Sequence, residues 1–364
     1  MNSSNLPYNP RLDQLRWLAA TIVFLFHFYL EYRGQGGVQI TNDWLGLISE
    51  GHTGVALFFT LSGFLFMQIA QYQQQIDYRE FLRNRCLRIL PLFLTIFAVA
   101  LSIGRDKFTP QDLLYLFATN LGLAPTSYTP ITGAAWSISV EFWFYLVFPF
   151  LARFTLQYGA RYLLKLLALM LFFKVASYTV NEKSTLMYFS TMVGRFDQFL
   201  VGMLAAVLYQ RHSGWIQRYV GWLLPLAALL VVADSALQSH VAKFEPYTHR
   251  PFWIVWSLLE SIGWSTLIMA WVAYKRPLPN WLDRTLGQGG RISFSFYLLH
   301  MGVLHVWMQY VGLPAITTNH WINTSVALIA TYAVTWLLST LCYSAVEQPF
   351  LALRRSYGTR NVAV

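Results

Sequence analysis

Ten apolar runs divide this chain, and they restrict what it can fold into more than any other feature. Each run has about 18 to 22 residues, enough for a helix to cross the hydrocarbon core of a bilayer. A composition of 56% hydrophobic and 12% charged residues agrees with this interpretation. The sequence therefore predicts an all-α polytopic membrane protein with about ten transmembrane helices. The predicted spans are residues 12–30, 53–70, 87–104, 134–152, 160–180, 193–210, 219–236, 252–274, 291–311 and 321–343.

Basic residues predict the orientation of these spans. If the N-terminus is cytoplasmic, 18 of the 26 Lys and Arg residues lie in inner loops or at inner helix ends, as the positive-inside rule requires. Both termini are therefore expected in the cytoplasm, with residues 1–10 and 351–364 as short tails around a membrane domain of residues 11–350. The first span is expected to be retained, because the ten residues before it lack the features of a signal peptide.

Two further predictions follow from the same patterns. Residues 112–124 form an apolar piece too short to cross the bilayer, so an interfacial or re-entrant helix is expected there. Nucleic-acid binding is not expected, because the basic residues are spread over membrane-adjacent loops and do not gather on one soluble domain.

The first span carries a cation and an imidazole on one face. Arg16 and His27 are eleven residues apart, which on an α-helix corresponds to a rise of about 16 Å and a net rotation of about 20°. The sequence therefore places a positive charge near one bilayer surface and a titratable ring much deeper on the same face.

Four arginines lie within ten residues where the third span begins: Arg79, Arg83, Arg85 and Arg88. Planar guanidinium groups bind phosphate in a bidentate manner, and this group is expected beside the Arg16 end of the first helix. Anchoring to lipid phosphates explains the cluster equally well. A phosphate-bearing cytoplasmic ligand and a lipid anchor therefore both stay open at this point.

The fourth span begins with Ser137 and Glu141, which share a helix face. Glu141 is expected about two turns inside the membrane, near the depth of His27. An ionised carboxylate at that depth must be paired or must line a wet cavity. A structural hydrogen bond between helices and a role beside a general base are both consistent with this position.

Further polar residues lie inside predicted spans, namely Lys174, Arg195, Asp197, Glu260 and His300. They cannot all face lipid. The simplest interpretation is one polar cavity in the outer half of the bundle, with some of these residues paired to each other.

The motifs follow one another in an order found in a known family. They are LDQLRWLAATIVFLFHF, GVALFFTLSGFLF, RNRCLRILPLF, AWSISVEFWFYLVFP, SFSFYLLHM and AVEQPF. This series resembles acyltransferase family 3, the membrane O-acyltransferases of surface polysaccharides, over nearly the whole chain and in the stand-alone form. The resemblance implies a ten-helix domain in a bacterial inner membrane that moves an acyl group, usually acetyl, from cytoplasmic acyl-coenzyme A to a carbohydrate hydroxyl on the outer side.

The resemblance also implies partners. Acetyl-coenzyme A is the expected donor and co-substrate, and no metal is expected. The acceptor is a polysaccharide such as O-antigen or an exopolysaccharide such as xanthan, or a lipid-linked repeat unit. Membrane lipid is the other expected partner.

Residue roles are implied motif by motif. The arginine–ten residues–histidine motif of the family falls on Arg16 and His27, and its paired-arginine motif falls on Arg85 and Arg88. Its W-S-x-S-x-E segment falls on Trp136, Ser137, Ser139 and Glu141. Two positions depart from the family: Trp17 stands where glycine is frequent, and Ala56 where aspartate is frequent, so no role is transferred to Ala56.

These considerations combine into a mechanistic hypothesis. The phosphates of acyl-coenzyme A bind Arg85 and Arg88 with Arg16 close by, and the pantetheine arm reaches into the bundle as far as His27. His27 then deprotonates the sugar hydroxyl or takes the acyl group itself.

The other residues of this hypothesis support the histidine and the reacting carbonyl. Glu141 is expected to orient the imidazole of His27. Ser137 or Ser139 is expected to donate a hydrogen bond to the developing oxyanion.

Two alternatives come from other functional classes. A transporter of a lipid-linked saccharide or small anion would use the buried charges to line a path, but many carriers have internal repeats that this chain lacks. If the protein were a non-catalytic structural membrane subunit, its many intramembrane ionisable groups would be a cost without an explanation.

Overall fold

The computed structural model describes residues 5–103, 136–180, 185–243 and 250–359. Ten helices of 21 to 31 residues in these ranges correspond to the ten predicted spans. The predicted piece at residues 112–124 lies outside the described residues. The ten helices are α1 (Pro10–Arg33), α2 (Thr53–Gln73), α3 (Tyr78–Ile103), α4 (Trp136–Tyr158), α5 (Ala160–Val180), α6 (Met192–Arg218), α7 (Val220–Val241), α8 (Phe252–Ala273), α9 (Asn280–Tyr310) and α10 (His320–Cys342).

Eight of these helices, within the described ranges, are long and apolar enough to cross a membrane. The other two, α1 and α9, are also long enough but more polar, since they carry Asp13 and Arg16, and Asp283 and Arg291, near their N-terminal ends. The prediction of an all-α polytopic membrane protein is confirmed. The two most polar helices turn out to carry much of the candidate site.

Short elements complete the described chain. They are a 3₁₀ turn (Asp43–Leu45), helices Gly46–Ser49 and Thr185–Ser190, a π-helical turn (Tyr343–Glu347), helix Gln348–Ala352, and strands β1 (Gln75–Ile76) and β2 (Gly358–Thr359). The two strands pair antiparallel, which attaches the end of the chain to the loop between α2 and α3.

Both ends of the chain meet at one end of the bundle. The backbone N–H of Tyr357 donates to Asn5 Oδ1 at 2.9 Å, and both side chains are buried. An even number of crossings puts the termini on the same side of a membrane, so this contact agrees with ten spans. The described parts of the two predicted tails therefore pack on the bundle.

The helices divide into a core and a periphery. Some 78% of the apolar stretch of α2 and 72% of that of α6 are buried, against 11% for α5 and 22% for α7. α2 packs extensively on α6, and α1 packs on α2 and α9. Side chains of α1, α2 and α9 thus face the interior of the bundle, where polar groups can be shielded from lipid.

The N-terminus of the first helix is set by a capping residue and a proline. Asn9 is in an extended conformation, and its side chain accepts a hydrogen bond from the backbone N–H of Arg11. Pro10 follows at the first helical position, where a missing N–H is harmless and its fixed φ suits a helix. This start sets the rotation of α1 and hence the direction in which Arg16 points.

A close crossing joins α2 to α6. The Ser62-Gly63 step predicts such a crossing because small residues let two backbones approach. In the structure a Cβ at Gly63 would lie 2.1 Å from the carbonyl oxygen of Phe199, and a Cβ at Gly202 would lie 2.0 Å from that of Thr60. Each glycine therefore receives the backbone of the other helix, and the predicted crossing is confirmed.

Gly202→Ala is expected to destabilise the protein, since its methyl group must push α2 and α6 apart, and overpacking of this kind costs about 1–3 kcal/mol. The matched control is Gly214→Ala on the same helix, where nothing lies within 4 Å of the added Cβ. Alanine there favours the helix by up to about 1 kcal/mol. Thermal unfolding in detergent, followed by tryptophan fluorescence, measures both; equal midpoints for the two variants would contradict the close crossing.

Candidate active site

Five arginines line one cavity at the end of the bundle where the chain termini meet. Its volume is about 1170 Å³, and we call it the basic vestibule. The arginines come from four parts of the chain: Arg16 from α1, Arg85 and Arg88 from α3, Arg291 from α9, and Arg354 from the segment after α10. The fold thus gathers charges that are up to 338 positions apart in the sequence.

The vestibule keeps an excess of positive charge. Asp13 is the one acidic side chain among the described residues that line it. Its carboxylate pairs with Arg16 and also accepts a hydrogen bond from the Tyr8 hydroxyl at 2.9 Å. Burial, together with repulsion from neighbouring arginines, lowers the pKa of Arg354 to about 10. A ligand with several negative charges would relieve this repulsion.

Aromatic rings hold the guanidinium group of Arg85 in place. Its Cζ atom lies 4.9 Å from the centroid of Phe66, 5.5 Å from that of Phe81 and 5.9 Å from that of Tyr145. Stacking on ring faces stabilises arginine without using its hydrogen-bond donors. The donors of Arg85 are therefore still available to an anion in the vestibule.

A second cavity continues from the vestibule into the bundle. Arg16, Leu65, Arg85 and Arg88 line both, so the two spaces adjoin, and we call the second one, of about 730 Å³, the inner cavity. Much of its wall is apolar, with polar groups at a few positions. The polar groups beyond the arginines are Ser62, Ser137, Glu141, Tyr145, Ser293 and Tyr297.

The polar groups of the inner cavity are paired across helices. The Ser62 hydroxyl donates to Glu141 Oε1 at 3.0 Å, which joins α2 to α4. The Ser137 and Tyr297 hydroxyls lie 2.7 Å apart, which joins α4 to α9. Ser62 has used its one hydrogen in the bond to Glu141, whereas one hydroxyl of the Ser137–Tyr297 pair accepts from the other and keeps its own hydrogen as a possible donor to a developing oxyanion.

His27 is linked to Tyr297 through His300 in a chain of hydrogen bonds. The Nδ1 atom of His27 is 2.9 Å from His300 Nε2 and 3.1 Å from the carbonyl oxygen of Val23. His300 Nδ1 is in turn 2.5 Å from the carbonyl oxygen of Tyr297. Tyr297 lines the inner cavity, whereas His27 is not among the described residues that do so. Two imidazoles in contact thus stand directly behind the cavity wall.

The family assignment agrees with this geometry. The chain matches the family described as Acyltransferase domain over residues 9–340, which is most of its 364 residues. The protein belongs to this acyltransferase family. The basic vestibule, the inner cavity and the two imidazoles are therefore features of an acyltransferase, and the predicted resemblance is confirmed.

Relatives of known name support the family. Nodulation protein 10 of Rhizobium leguminosarum bv. viciae is 25% identical and covers 100% of this chain and 99% of its own length. O-acetyltransferase OatA of Staphylococcus aureus (strain MRSA252) is 25% identical over 98% of this chain and 61% of its own length. Acyltransferase MdmB of Streptomyces mycarofaciens is 30% identical over 38% of each chain. No solved structure matches this acyltransferase.

Several predicted site residues of the acyltransferase meet as expected. Arg16, Arg85 and Arg88 line the vestibule together, and Ser137 and Glu141 line the inner cavity.

Within the described residues, no three His, Cys, Asp or Glu side chains are grouped as a metal site requires.

Two predicted roles do not match the geometry. Glu141 was expected to orient His27, but its carboxylate binds Ser62 of α2, and the imidazole partner of His27 is His300. The reason is that α9, and not α4, packs against α1 at this depth. Ser139 is fully buried and is not among the described residues that line the inner cavity, so of the two predicted oxyanion donors only Ser137 is at the wall.

Of the prediction for the further polar residues, the shared cavity in the outer half of the bundle is wrong, and the pairing of some of them with each other is confirmed. Lys174 Nζ lies 2.6 Å from Asp197 Oδ2. Arg195 Nη1 lies 3.4 Å from Glu260 Oε2. Both pairs are buried where α5, α6 and α8 meet, because opposite charges in a medium of low dielectric are stabilised by contact with one another. Of the five polar residues in this prediction, His300 is the one that forms a hydrogen bond with His27 in the described structure.

The two departures from the family pattern are accommodated by packing. Trp17 is surrounded by aromatic rings, and a Cβ at Gly289 would lie 2.3 Å from its indole, so the glycine of α9 leaves room for the large side chain of α1. Ala56 is fully buried in the hydrophobic core. The alanine is therefore surrounded by apolar side chains, and its surroundings do not call for the aspartate that is frequent in the family.

Sequence reasoning missed Arg291, Arg354 and Tyr297 as site residues. Arg291 and Arg354 have no motif of their own and were taken only as markers of orientation. The signal for Arg291 was the preceding Gly289-Gly290 step, since a Cβ at Gly290 would lie 2.3 Å from the carbonyl oxygen of Asp13. This close approach of α9 to α1 carries Arg291 to the vestibule.

The inner cavity is expected to admit small water-soluble reagents through the vestibule. In a Cys86→Ala, Cys342→Ala background, Ser62→Cys is expected to react quickly with a small anionic methanethiosulfonate reagent, because Ser62 lines the cavity and the arginines of the vestibule attract negative charge. Thr60→Cys on the same helix is the control, since Thr60 is fully buried. Mass spectrometry of the purified protein gives the rates. Equal rates at the two positions would show that the cavity is closed to solvent.

Proposed function

We propose that this acyltransferase moves an acetyl or other short acyl group from cytoplasmic acyl-coenzyme A to a hydroxyl of a surface or lipid-linked polysaccharide. The observation that carries the proposal is an arginine-lined vestibule that adjoins an inner cavity, one wall residue of which, Tyr297, is joined to His27 by hydrogen bonds through His300. One relative of this chain is named O-acetyltransferase OatA, and this name supports acetyl as the acyl group.

The vestibule is suited to the nucleotide end of the donor. Coenzyme A carries a pyrophosphate and a separate phosphate, and guanidinium groups bind such oxygens through charge-assisted hydrogen bonds. Arg16, Arg85 and Arg88 form the inner part of the site because they line both cavities. Arg291 and Arg354 line the vestibule alone and extend the site toward solvent.

The inner cavity is suited to the pantetheine arm. This arm is narrow and largely apolar, as is the cavity wall, and the rise of about 16 Å between Arg16 and His27 is within its reach. The rings of Phe58 and Tyr297 are part of the cavity wall and contact each other edge to face at a centroid distance of 5.8 Å. Since His27 is not among the described residues that line the cavity, contact between thioester and His27 requires side chains of the wall to move.

The chemistry requires a base or nucleophile and an oxyanion donor. As base, His27 takes the proton of the sugar hydroxyl while the oxygen attacks the thioester carbonyl; the carbon–sulfur bond then breaks, and the proton passes to the coenzyme A thiolate. As nucleophile, His27 attacks the thioester carbonyl and the carbon–sulfur bond breaks, which releases the coenzyme A thiolate. The sugar oxygen then attacks the acyl-imidazole, the bond to His27 breaks, and the hydroxyl proton passes to the thiolate. In both routes one hydroxyl of the Ser137–Tyr297 pair donates to the oxyanion while it accepts a hydrogen bond from the other.

The roles proposed for the vestibule and for His27 suggest a cellular location. The basic vestibule faces the cytoplasm, where acyl-coenzyme A is present, in agreement with the positive-inside rule. His27, eleven residues further along α1, is nearer the outer surface, where a carbohydrate acceptor approaches. We place the protein in the cytoplasmic membrane of a bacterium, acting on an O-antigen, an exopolysaccharide or a lipid-linked repeat unit.

Arg88→Gln is expected to weaken the binding of coenzyme A about 10- to 100-fold, because a hydrogen bond to a charged group contributes about 1.5–3 kcal/mol. Arg79→Gln is the control: it removes the same charge from the exposed face of the same helix, away from the residues that line the vestibule. Isothermal titration calorimetry on the detergent-solubilised protein measures both affinities. Equal losses would point to a general effect of net charge and against a phosphate site.

His27→Ala is expected to reduce acyl transfer by about 10²- to 10⁴-fold, the usual contribution of a positioned base. Insertion and coenzyme A binding are expected to be unchanged, since Arg16, Arg85 and Arg88 are retained. Transfer of radiolabelled acetyl from acetyl-coenzyme A to membrane-associated carbohydrate measures the rate. A normal rate in His27→Ala would refute the proposed mechanism, and a wild-type protein that neither binds coenzyme A nor transfers label would favour a transporter.

A further inference from the structure

His27 and His300 form a buried pair of imidazoles whose protonation is determined by their surroundings. Their ring centroids are 4.9 Å apart, and His300 is 1% exposed. A hydrogen bond between two imidazoles has one donor and one acceptor nitrogen. Carbonyl oxygens, which only accept, contact one nitrogen of each ring, so they decide which nitrogen carries the proton.

The tautomer of His300 follows first. Its Nδ1 atom lies 2.5 Å from the carbonyl oxygen of Tyr297, so Nδ1 must carry the hydrogen. A neutral ring with its proton on Nδ1 has a lone pair on Nε2. His300 therefore presents an acceptor, and not a donor, to His27.

The tautomer of His27 follows from that of His300. Nδ1 of His27 lies 2.9 Å from His300 Nε2 and 3.1 Å from the carbonyl oxygen of Val23, and both of these atoms accept. Nδ1 of His27 must therefore carry the hydrogen. The lone pair of His27 is left on Nε2, the nitrogen on the other side of the ring.

We propose that His300 is the positioning residue of His27: it holds the imidazole in the tautomer that makes Nε2 the reacting nitrogen, an inference that rests on the acyltransferase mechanism proposed above. When Nε2 takes the proton of the acceptor hydroxyl, His27 becomes an imidazolium whose Nδ1–H already points at the lone pair of His300. That hydrogen bond becomes charge-assisted and stronger as the reaction proceeds. If Nε2 takes the acyl group first, the same lone pair stabilises the acyl-imidazolium.

Tyr297 connects this pair to the inner cavity. Its carbonyl oxygen sets the proton of His300, and its hydroxyl lies at the cavity wall beside that of Ser137. One residue of α9 thus contributes to the protonation of the base and to the surface where the thioester carbonyl is expected. Tyr297 and His300 are one helical turn apart, so both act from the same face of α9.

Three variants test the proposal on the full-length protein in detergent or liposomes. His300→Gln keeps a carbonyl acceptor near the position of Nε2 and loses the bond to Tyr297. His300→Phe keeps the ring shape and removes the acceptor. His305→Phe is the control, because His305 is exposed on the same helix.

The expected result is a split between kcat and KM. His300→Phe is expected to lower kcat about 10- to 100-fold with little change in the KM for acetyl-coenzyme A. A positioned base accelerates a reaction by ~10²–10⁴-fold, and loss of its correct tautomer removes a part of that acceleration. His300→Gln is expected to recover much of that loss, and His305→Phe is expected to match the wild type. A purely structural role would make His300→Gln and His300→Phe equally defective, which would overturn the proposal.

Nitrogen NMR of ¹⁵N-histidine-labelled protein reads the tautomer without any assay of activity. The His27 resonances are identified by their loss in His27→Gln. The expected wild-type spectrum shows a protonated Nδ1 and an unprotonated Nε2 for His27, with a mixture of tautomers in His300→Phe. A wild-type proton on Nε2 of His27 would overturn the proposal. A normal rate in His27→Ala would instead refute the acyltransferase mechanism, while the spectrum would still report whether the two rings are paired.

Discussion

The burial of charge in an apolar bundle is the constraint on which the rest of this structure depends. A charged side chain among membrane helices must be paired, or it must face a space that a polar ligand or water can enter. The protein uses both solutions in different places. Lys174 and Arg195 are each paired with a carboxylate where α5, α6 and α8 meet. The arginines of the basic vestibule outnumber their one acidic neighbour, so their charge is left for a ligand.

The second organising feature is the polar character of α1 and α9. These helices pack on each other along their length, and together they carry Arg16, His27, Arg291, Tyr297 and His300. The more apolar helices surround them or, like α5 and α7, lie at the periphery. Close glycine contacts bring backbones together at the points where large side chains must fit. The geometry of the site is thus mostly the geometry of two neighbouring helices, with the arginines of α3 and the hydroxyls and carboxylate of α2 and α4 added from the other side.

Much of the fold and part of the site could be predicted from the sequence. The ten apolar runs predicted the ten helices because membrane spans depend on local length and hydropathy. The order of motifs predicted the family, and the spacing of Arg16 and His27 on one helix followed from helix geometry. The prediction that Glu141 orients His27 was wrong because equal depth in the membrane does not determine which helices are neighbours. The shared polar cavity was wrong for the same reason: the residues proposed to line it contact each other.

The sequence by itself determined the class of the protein, the number and length of its helices, and the residue types available for chemistry, because each of these depends on properties that extend over at most one helix. The tertiary structure alone decided which charges are paired and which are left over, that the vestibule adjoins the inner cavity, and that His300 lies against His27. These features depend on the rotation and contact of helices far apart in the chain. Side chains separated by 273 positions become hydrogen-bond partners only when α1 and α9 pack together.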